Sequence, residues 1–247
     1  MMKPFLILQL RPEDIVADDE LAALLRYGGL QPSGIQRVRI EKEALPKINV
    51  DDYSGIIVGG GPYNASDTRK SFRQRRFESD LFKLLDTVVD KDIPFLGACY
   101  GLGILAYYLG GTVSKERYAE DVGAVNVTLS QEAESDPLLA GLPQTFRAFV
   151  GHKEACQQLP ASVTALASSE ACLTQMIRVK QNIYATQFHP ELDARGLALR
   201  INAYKYAGYF PPETAETLIA QALKENIVVP AKIINRFVTR YSQPVGS

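Results

Sequence analysis

The sequence predicts an α/β fold, a mainly parallel sheet covered by helices on both faces, with a β-rich antiparallel segment in the second half. Three observations lead to it. Apolar runs of strand length alternate with amphipathic stretches over roughly the first 110 residues. Glycine clusters follow two of those runs, at 59–61 and 97–103. From about residue 112 the texture changes to short β-rich runs separated by turn residues.

"KPFLILQL" is a nearly continuous apolar run, as expected of a strand buried on both faces. The helical stretch "DDELAALLRYGG" and a second strand, "GIQRVRIE", complete a β-α-β opening. "SGIIVGGGP" is a third strand ending in a tight loop. In "SFRQRRFESDLFKLLDTVVDKD", Phe77, Leu81, Leu84, Leu85 and Val88 recur every three or four residues, so one helical face is apolar and packs on the sheet. "RKSFRQRR" at its start reads as the solvated lead-in of that helix, with a basic docking patch as the other reading. "IPFLGAC" is the next strand and "YGLGILAYYLGG" the next helix, stopped by Gly110 and Gly111. "GAVNVTLSQ", "TFRAFVGH", "VTALASSEACLTQMIRV" and "NIYATQFHP" make the antiparallel-leaning segment. Helical periodicity then returns, through Leu218, Ile219, Ala222 and Leu223 and through Ile233, Ile234, Phe237, Val238 and Tyr241.

A chain of 247 residues with 46% hydrophobic composition can bury one large core. One domain is expected over residues 1–208, with a helical extension over 209–247 packed on it. The net charge of −1 supplies no basic field, so neither nucleic acid nor membrane is an expected partner. The apolar run in "MMKPFLILQLRPED" is too short for a signal peptide or a spanning helix, and a cytoplasmic protein is expected. The three cysteines, Cys99, Cys156 and Cys172, form no C-x-x-C pair, which argues against a disulfide framework and a zinc site. No cofactor and no metal are expected.

In G-A-C-Y-G, residues 97–101, Cys99 stands at a strand-to-helix junction with a glycine two positions away on each side. That is a nucleophile elbow with sulfur in place of hydroxyl, since a backbone doubling back needs small flanking residues. The unpaired N–H groups of the following helix favour negative charge and are expected to lower the thiol pKa. A free cysteine in an apolar stretch is ordinarily a packing residue; the paired glycines favour the nucleophile. "GLGILA" also matches G-x-G-x-x-A, but a dinucleotide fingerprint normally opens the first β-α unit, and this one lies far downstream.

A thiol nucleophile needs a base, and the chain has two histidines, His152 and His189. In "YATQFHPELD", extended backbone puts His189 and Glu191 on one face, so Glu191 can accept from Nδ1–H and leave Nε2 toward the sulfur. Pro190 disfavours helix at His189. Gly59, Gly60 and Gly61 can offer one oxyanion donor and the Tyr100 N–H another, although "GGGP" is equally a plain turn. His152, in "FVGHKEA", reads as a ligand contact or an ordinary turn residue. Cys156 and Cys172 read as structural.

"GGGP", "PFLGACYGLG" and "QFHPEL" resemble the three signature segments of class I glutamine amidotransferases, in that family's order, and "ACYG" is similar to the glutaminase domain of GMP synthetase. The resemblance covers residues 1 to about 205. It implies a flavodoxin-like sheet and a Cys99, His189, Glu191 triad. It also implies an oxyanion hole from the Gly61 and Tyr100 N–H groups and hydrolysis of the glutamine side-chain amide through a glutamyl thioester, releasing ammonia. The family's elbow usually continues as C-x-G-x-Q; here Gly103 stands at the glutamine and leaves room where its side chain would be. Gly60, Gly103 and His152 are the expected substrate contacts. No P-loop is present, so a separate synthase subunit is expected to accept the ammonia. Two alternatives remain: a γ-glutamyl peptidase acting on a larger γ-glutamyl compound, and a catalytically idle binding or regulatory relative.

Overall fold

Apolar residues on both faces of successive short runs make a sheet that must be covered twice. Strand β1 (Phe5–Gln9) turns Leu6 and Leu8 to one side and Phe5 and Ile7 to the other, and all four are buried. The computed structural model describes residues 2–245; residues 1, 246 and 247, the ends of the two expected segments, lie outside the described residues.

The other strands are β2 (Ile35–Arg39), β3 (Gly55–Val58), β4 (Phe95–Ala98), β5 (Thr112–Ser114), β6 (Glu120–Leu129), β7 (Thr145–His152), β8 (Ala155–Gln158), β9 (Val163–Ser168), β10 (Met176–Val179) and β11 (Ile183–Thr186). Among the described residues, nine of the strands join in one sheet, ordered β2-β1-β3-β4-β11-β10-β9-β6-β7. β2, β1, β3, β4 and β11 run parallel. From β11 through β10, β9, β6 and β7 every pairing is antiparallel. The expected fold class therefore holds, with one refinement: the late strand "NIYAT" inserts beside β4 in parallel, Ala185 opposite Gly97. β5 and β8 leave the sheet and pair with each other.

The helices are α1 (Asp14–Gly28), α2 (Phe72–Lys91), α3 (Tyr100–Tyr108), α4 (Ala194–Ala203), α5 (Ala215–Ala222) and α6 (Val229–Tyr241). Ser71 caps α2, its hydroxyl accepting from the Gln74 N–H at 3.1 Å. The predicted stripe of Phe77, Leu81, Leu84, Leu85 and Val88 is buried with Leu8, Val58, Tyr100 and Ile104 on one face of the sheet. On the other, Leu24 of α1 and Ile233, Ile234 and Phe237 of α6 pack with Ile7, Ile57 and Leu96. α3 is apolar around its whole circumference and buried from Tyr100 to Ala106. A third cluster joins Leu197 and Ile201 of α4 to Ala215 and Ala222 of α5. Leu223, assigned above to an apolar helical stripe, lies past the end of α5 and is exposed. No helix among the described residues is long and apolar enough to cross a membrane.

β1 has β2 on one side and β3 on the other, so the strand order reverses between β1 and β3. Ligands in such sheets sit outside the carboxyl ends of the strands near that reversal. Arg11, Gly59–Gly61, Cys99 and His189 all follow the carboxyl ends of β1, β3, β4 and β11.

Candidate active site

Cys99 joins β4 to α3 with φ 51° and ψ −96°, a conformation that costs a non-glycine residue roughly 1–3 kcal/mol. Its N–H donates to Thr186 O at 2.7 Å, and its carbonyl accepts from Leu102 at 2.9 Å and Gly103 at 3.2 Å, which holds the bend from both sides. The flanking glycines are there for close approach. A Cβ on Gly97 would lie 2.8 Å from the Gly101 carbonyl carbon, and one on Gly101 would lie 3.2 Å from Val58 O. Tyr100 is the first residue of α3, so its N–H lies outside the helical ladder.

His189 Nδ1 stands 2.9 Å from Glu191 Oε1. A carboxylate only accepts, so Nδ1 carries the proton and Nε2 is the basic nitrogen. Arg200 Nη1 forms an ion pair with the same Glu191 oxygen at 2.9 Å and lies 3.3 Å from His189 Nδ1. Burial alone would raise the Glu191 pKa, but His189 and Arg200 outweigh it and hold the carboxyl ionised, well below the usual carboxylate range. Burial lowers the His189 pKa from 6.5, more than Glu191 restores, and the charges of Arg200 and Arg11 push the same way. The imidazole is therefore neutral at neutral pH. Cys99 keeps partial exposure through a hollow, yet the protein around the sulfur pushes its thiol up to about 12, with Arg11 opposing and Glu154 adding to the rise. The direction is opposite to the lowering expected from the N-terminus of α3, and burial is its largest cause. With its pKa pushed that far up, Cys99 rests as a thiol.

Two hollows meet at Cys99. The smaller, about 300 Å³, is bordered by Tyr63, Asn64, Gly103, Glu154 and Gln187. The larger, about 510 Å³ out to its open mouth, is bordered by Arg11, His189, Arg200, Tyr204 and Phe210. Cys99, Gly61, Gly151 and Tyr209 border both. Gly60 must be glycine, since a Cβ there would lie 2.7 Å from both His189 Cε1 and Arg11 Nη2.

Gly103 does not leave room. A Cβ there would lie 2.9 Å from Glu154 Oε1, so that carboxylate fills the space expected to be empty. It accepts from the Ala65 N–H at 2.7 Å, the Ser66 N–H at 2.9 Å and the Ser66 hydroxyl at 2.7 Å. His152 borders the smaller hollow, but its nitrogens are engaged within the protein, Nδ1 with Glu154 O and Nε2 with Glu120 Oε2, each at 2.9 Å. Potential metal-ligating atoms of Glu120, His152 and Cys172 lie within 4.8 Å of one another. Glu120 already accepts from Ser169 Oγ at 2.6 Å and from Gln175 Nε2, and Cys172 donates to Thr174 O at 3.5 Å.

Several contributors carry no mark in the sequence reading. Gln187 Nε2 donates toward Cys99 Sγ at 3.7 Å; strand alternation, which places 187 on the same face as 189, is the signal that could have found it. Arg11, Glu20 and Arg200 carry charges at 5% exposure or less, and Arg11 Nε bonds Glu20 at 2.8 Å. Tyr209 and Phe210 belong to the segment after residue 208, to which the sequence assigns no role in the site.

The family model for class I glutamine amidotransferases matches residues 21–200. The chain belongs to the class I glutamine amidotransferase family. As a member, it is 31% identical over 169 residues to one subunit of the glutamine-hydrolysing GMP synthase of Natronomonas pharaonis, spanning 68% of this chain and 81% of that protein. It is 32% identical over 175 residues to the glutamine-hydrolysing GMP synthase of Thermomicrobium roseum, covering 69% of this chain but only 30% of that longer protein. A glutamine amidotransferase from Thermotoga maritima superposes with a TM-score of 0.77 at 22% identity, over 96% of this chain and 98% of that one. Another, from Methylobacillus flagellatus, gives 0.75 at 18% identity, over 100% and 98%. At those identities the structures speak to the flavodoxin-like fold.

Proposed function

We propose that this amidotransferase hydrolyses the side-chain amide of glutamine at Cys99 and releases ammonia. The observation that carries the proposal is the sharing of one hollow by Cys99, on its strained turn, and His189, whose Nδ1 is pinned to Glu191 at 2.9 Å. Neutral His189 takes the thiol proton through Nε2 as Sγ attacks the amide carbon. Glu191 fixes the tautomer and steadies the imidazolium, and Arg200 holds Glu191. The N–H groups of Gly61 and Tyr100 receive the developing oxyanion, each such donor contributing on the order of 3 kcal/mol. His189 then protonates the departing nitrogen, and water cleaves the thioester to glutamate. The amino-acid end of glutamine lies in the smaller hollow, along Gly103, with Glu154 the acceptor for its ammonium group and His152 setting the turn that carries Glu154; Gly60 lies instead against His189 and Arg11, which border the larger hollow.

The chain spans less than a third of the longer Thermomicrobium synthase and most of the Natronomonas subunit. That the Natronomonas relative is itself named as one subunit of a GMP synthase supports a role beside a separate synthase subunit that consumes the ammonia. Because Tyr209 and Phe210 border the hollow, the segment 209–247 is taken to act with residues 1–208 as one unit.

Ammonia release from glutamine, with stoichiometric labelling of Cys99 by diazo-oxo-norleucine, tests the reading. A chain that neither releases ammonia nor labels at Cys99 overturns it. The same assay has an expected pH profile. His189 must be neutral to act as base, and its pKa is lowered from 6.5, so the acid limb of kcat/KM is expected to lie below pH 6.5. A limb centred above 6.5 assigns the base elsewhere.

A further inference from the structure

Tyr209 borders both hollows at Cys99, as do Cys99 itself, Gly61 and Gly151, so its ring stands at their junction. The other three residues lie in or just beyond strands of the sheet. Tyr209 comes instead from the segment after α4, outside the residues 21–200 that the family model matches. Burial pushes its phenol up, and Cys99 is the next cause of the rise.

The segment that carries this ring has little to hold it. Tyr206, Ala207 and Gly208 are all exposed. The Ala207 N–H donates to Tyr204 O at 2.9 Å within its own turn, and Gly208 bends the chain at φ 73°, where glycine is favoured. Among the described residues, the hydrogen bond that reaches residues 206–210 from another part of the chain comes from Lys153, whose Nζ donates to Ala207 O at 3.0 Å. The same ammonium lies 4.3 Å from the centre of the Tyr209 ring, a cation–π distance. Lys153 is itself firmly placed between β7 and β8, because both of its neighbours are bound. His152 Nε2 meets Glu120 at 2.9 Å, and the Glu154 carboxylate accepts from Ala65 and Ser66. One side chain thus ties the ring to a rigid turn.

We infer that Tyr209 is a specificity-determining wall of the site and that Lys153 is the positioning residue that keeps its ring over Cys99. The shielding of the sulfur stands on this geometry alone, whereas its effect on glutamine rests on the proposed Cys99 chemistry. With the ring in place, a substrate at Cys99 is confined where the two hollows meet. Without Lys153 the segment is free to leave with its ring, and the sulfur opens to solvent. Binding then suffers more than the chemical step, because the Cys99 bend and the His189–Glu191 pair are held by contacts of their own.

Two measurements on the whole chain test this: the rate at which iodoacetamide alkylates Cys99, and KM and kcat for glutamine. Lys153→Met keeps an apolar stem and removes the cation and the donor. It is expected to be alkylated about fivefold faster or more and to raise KM about tenfold, with kcat changed by less than about threefold. Losing a nearby cation would by itself raise the thiol pKa and slow alkylation, so a faster reaction reports access. Tyr209→Ala is expected to speed alkylation at least as much, and Tyr209→Phe, which retains the ring, to keep the parent alkylation rate. Lys153→Arg supplies a cation and donors again, and is expected to bring alkylation and KM to within about twofold of the parent. Parent-rate alkylation in both Lys153→Met and Tyr209→Ala overturns the inference and leaves glutamine hydrolysis standing. A raised KM in Lys153→Met with alkylation unchanged overturns it too, since Lys153 would then meet the substrate directly. If the parent neither releases ammonia nor labels with diazo-oxo-norleucine, the glutamine reading falls, and the alkylation rates still decide whether the ring covers the sulfur.

Discussion

Cys99→Ala is expected to lower amide hydrolysis by about 10⁴-fold or more, the scale on which covalent nucleophiles fail when removed. The fold is expected to survive. The side chain is small, its one polar contact is the weak 3.7 Å approach of Gln187, and the backbone bonds at the bend do not involve the sulfur. A change of about 1 kcal/mol, or roughly 2–4 °C in Tm, is the expected size. Cys99→Gly separates strain from chemistry. It is as inactive as Cys99→Ala, yet it removes the Cβ from a φ of 51°, so it is expected to melt no lower than the alanine variant. Glu191→Ala is expected to cost less activity than Cys99→Ala, because Glu191 acts only by orienting and steadying His189. Ammonia release by Cys99→Ala at the parent rate would remove the sulfur from the mechanism.

The residues that are legible in the sequence are those whose local backbone demands a residue type. Gly97 and Gly101 mark the elbow because a Cβ at 97 would run into the first turn of α3 and one at 101 would crowd Val58 of β3. His189 and Glu191 are legible because an extended H-P-E places two side chains on one face, and the stripes of α2 and α6 because a helix must bury one side. What escapes a sequence reading depends on tertiary approach. Arg11, Glu20 and Arg200 look like surface charges in the sequence, and only the folded chain stacks them behind the imidazole. Glu154 occupies the space at Gly103 from 51 residues away in the chain, which no local pattern encodes. The thiol pKa runs opposite to expectation for the same reason: the helix terminus is local and visible, whereas the protein around the sulfur is not.

Gly97→Ala is the second large expected effect, and it tests the elbow without touching a reactive group. Gly97 lies in the middle of the sheet, opposite Val58 of β3 and Ala185 of β11, so β4 cannot retreat sideways. Its new Cβ would meet the Gly101 carbonyl carbon at 2.8 Å, the oxygen at 2.9 Å and Cα at 3.1 Å. All three are backbone atoms of the first turn of α3, so no rotamer change relieves the clash, and α3 has to shift. That helix is buried from Tyr100 to Ala106, and the Tyr100 hydroxyl is tied to Glu78 at 2.7 Å, so the shift disturbs well-packed core. The expected loss is about 2–3 kcal/mol of stability. The same shift moves the Cys99 sulfur and the Tyr100 N–H relative to His189, and displacement near 1 Å at a reacting centre costs about 100-fold in rate. Gly123→Ala, in β6 with nothing within 4 Å of its Cβ position, is the matched control and is expected to keep both stability and activity. Parent-like melting and turnover in Gly97→Ala would mean that the bend at Cys99 is not set by backbone contact between β4 and α3.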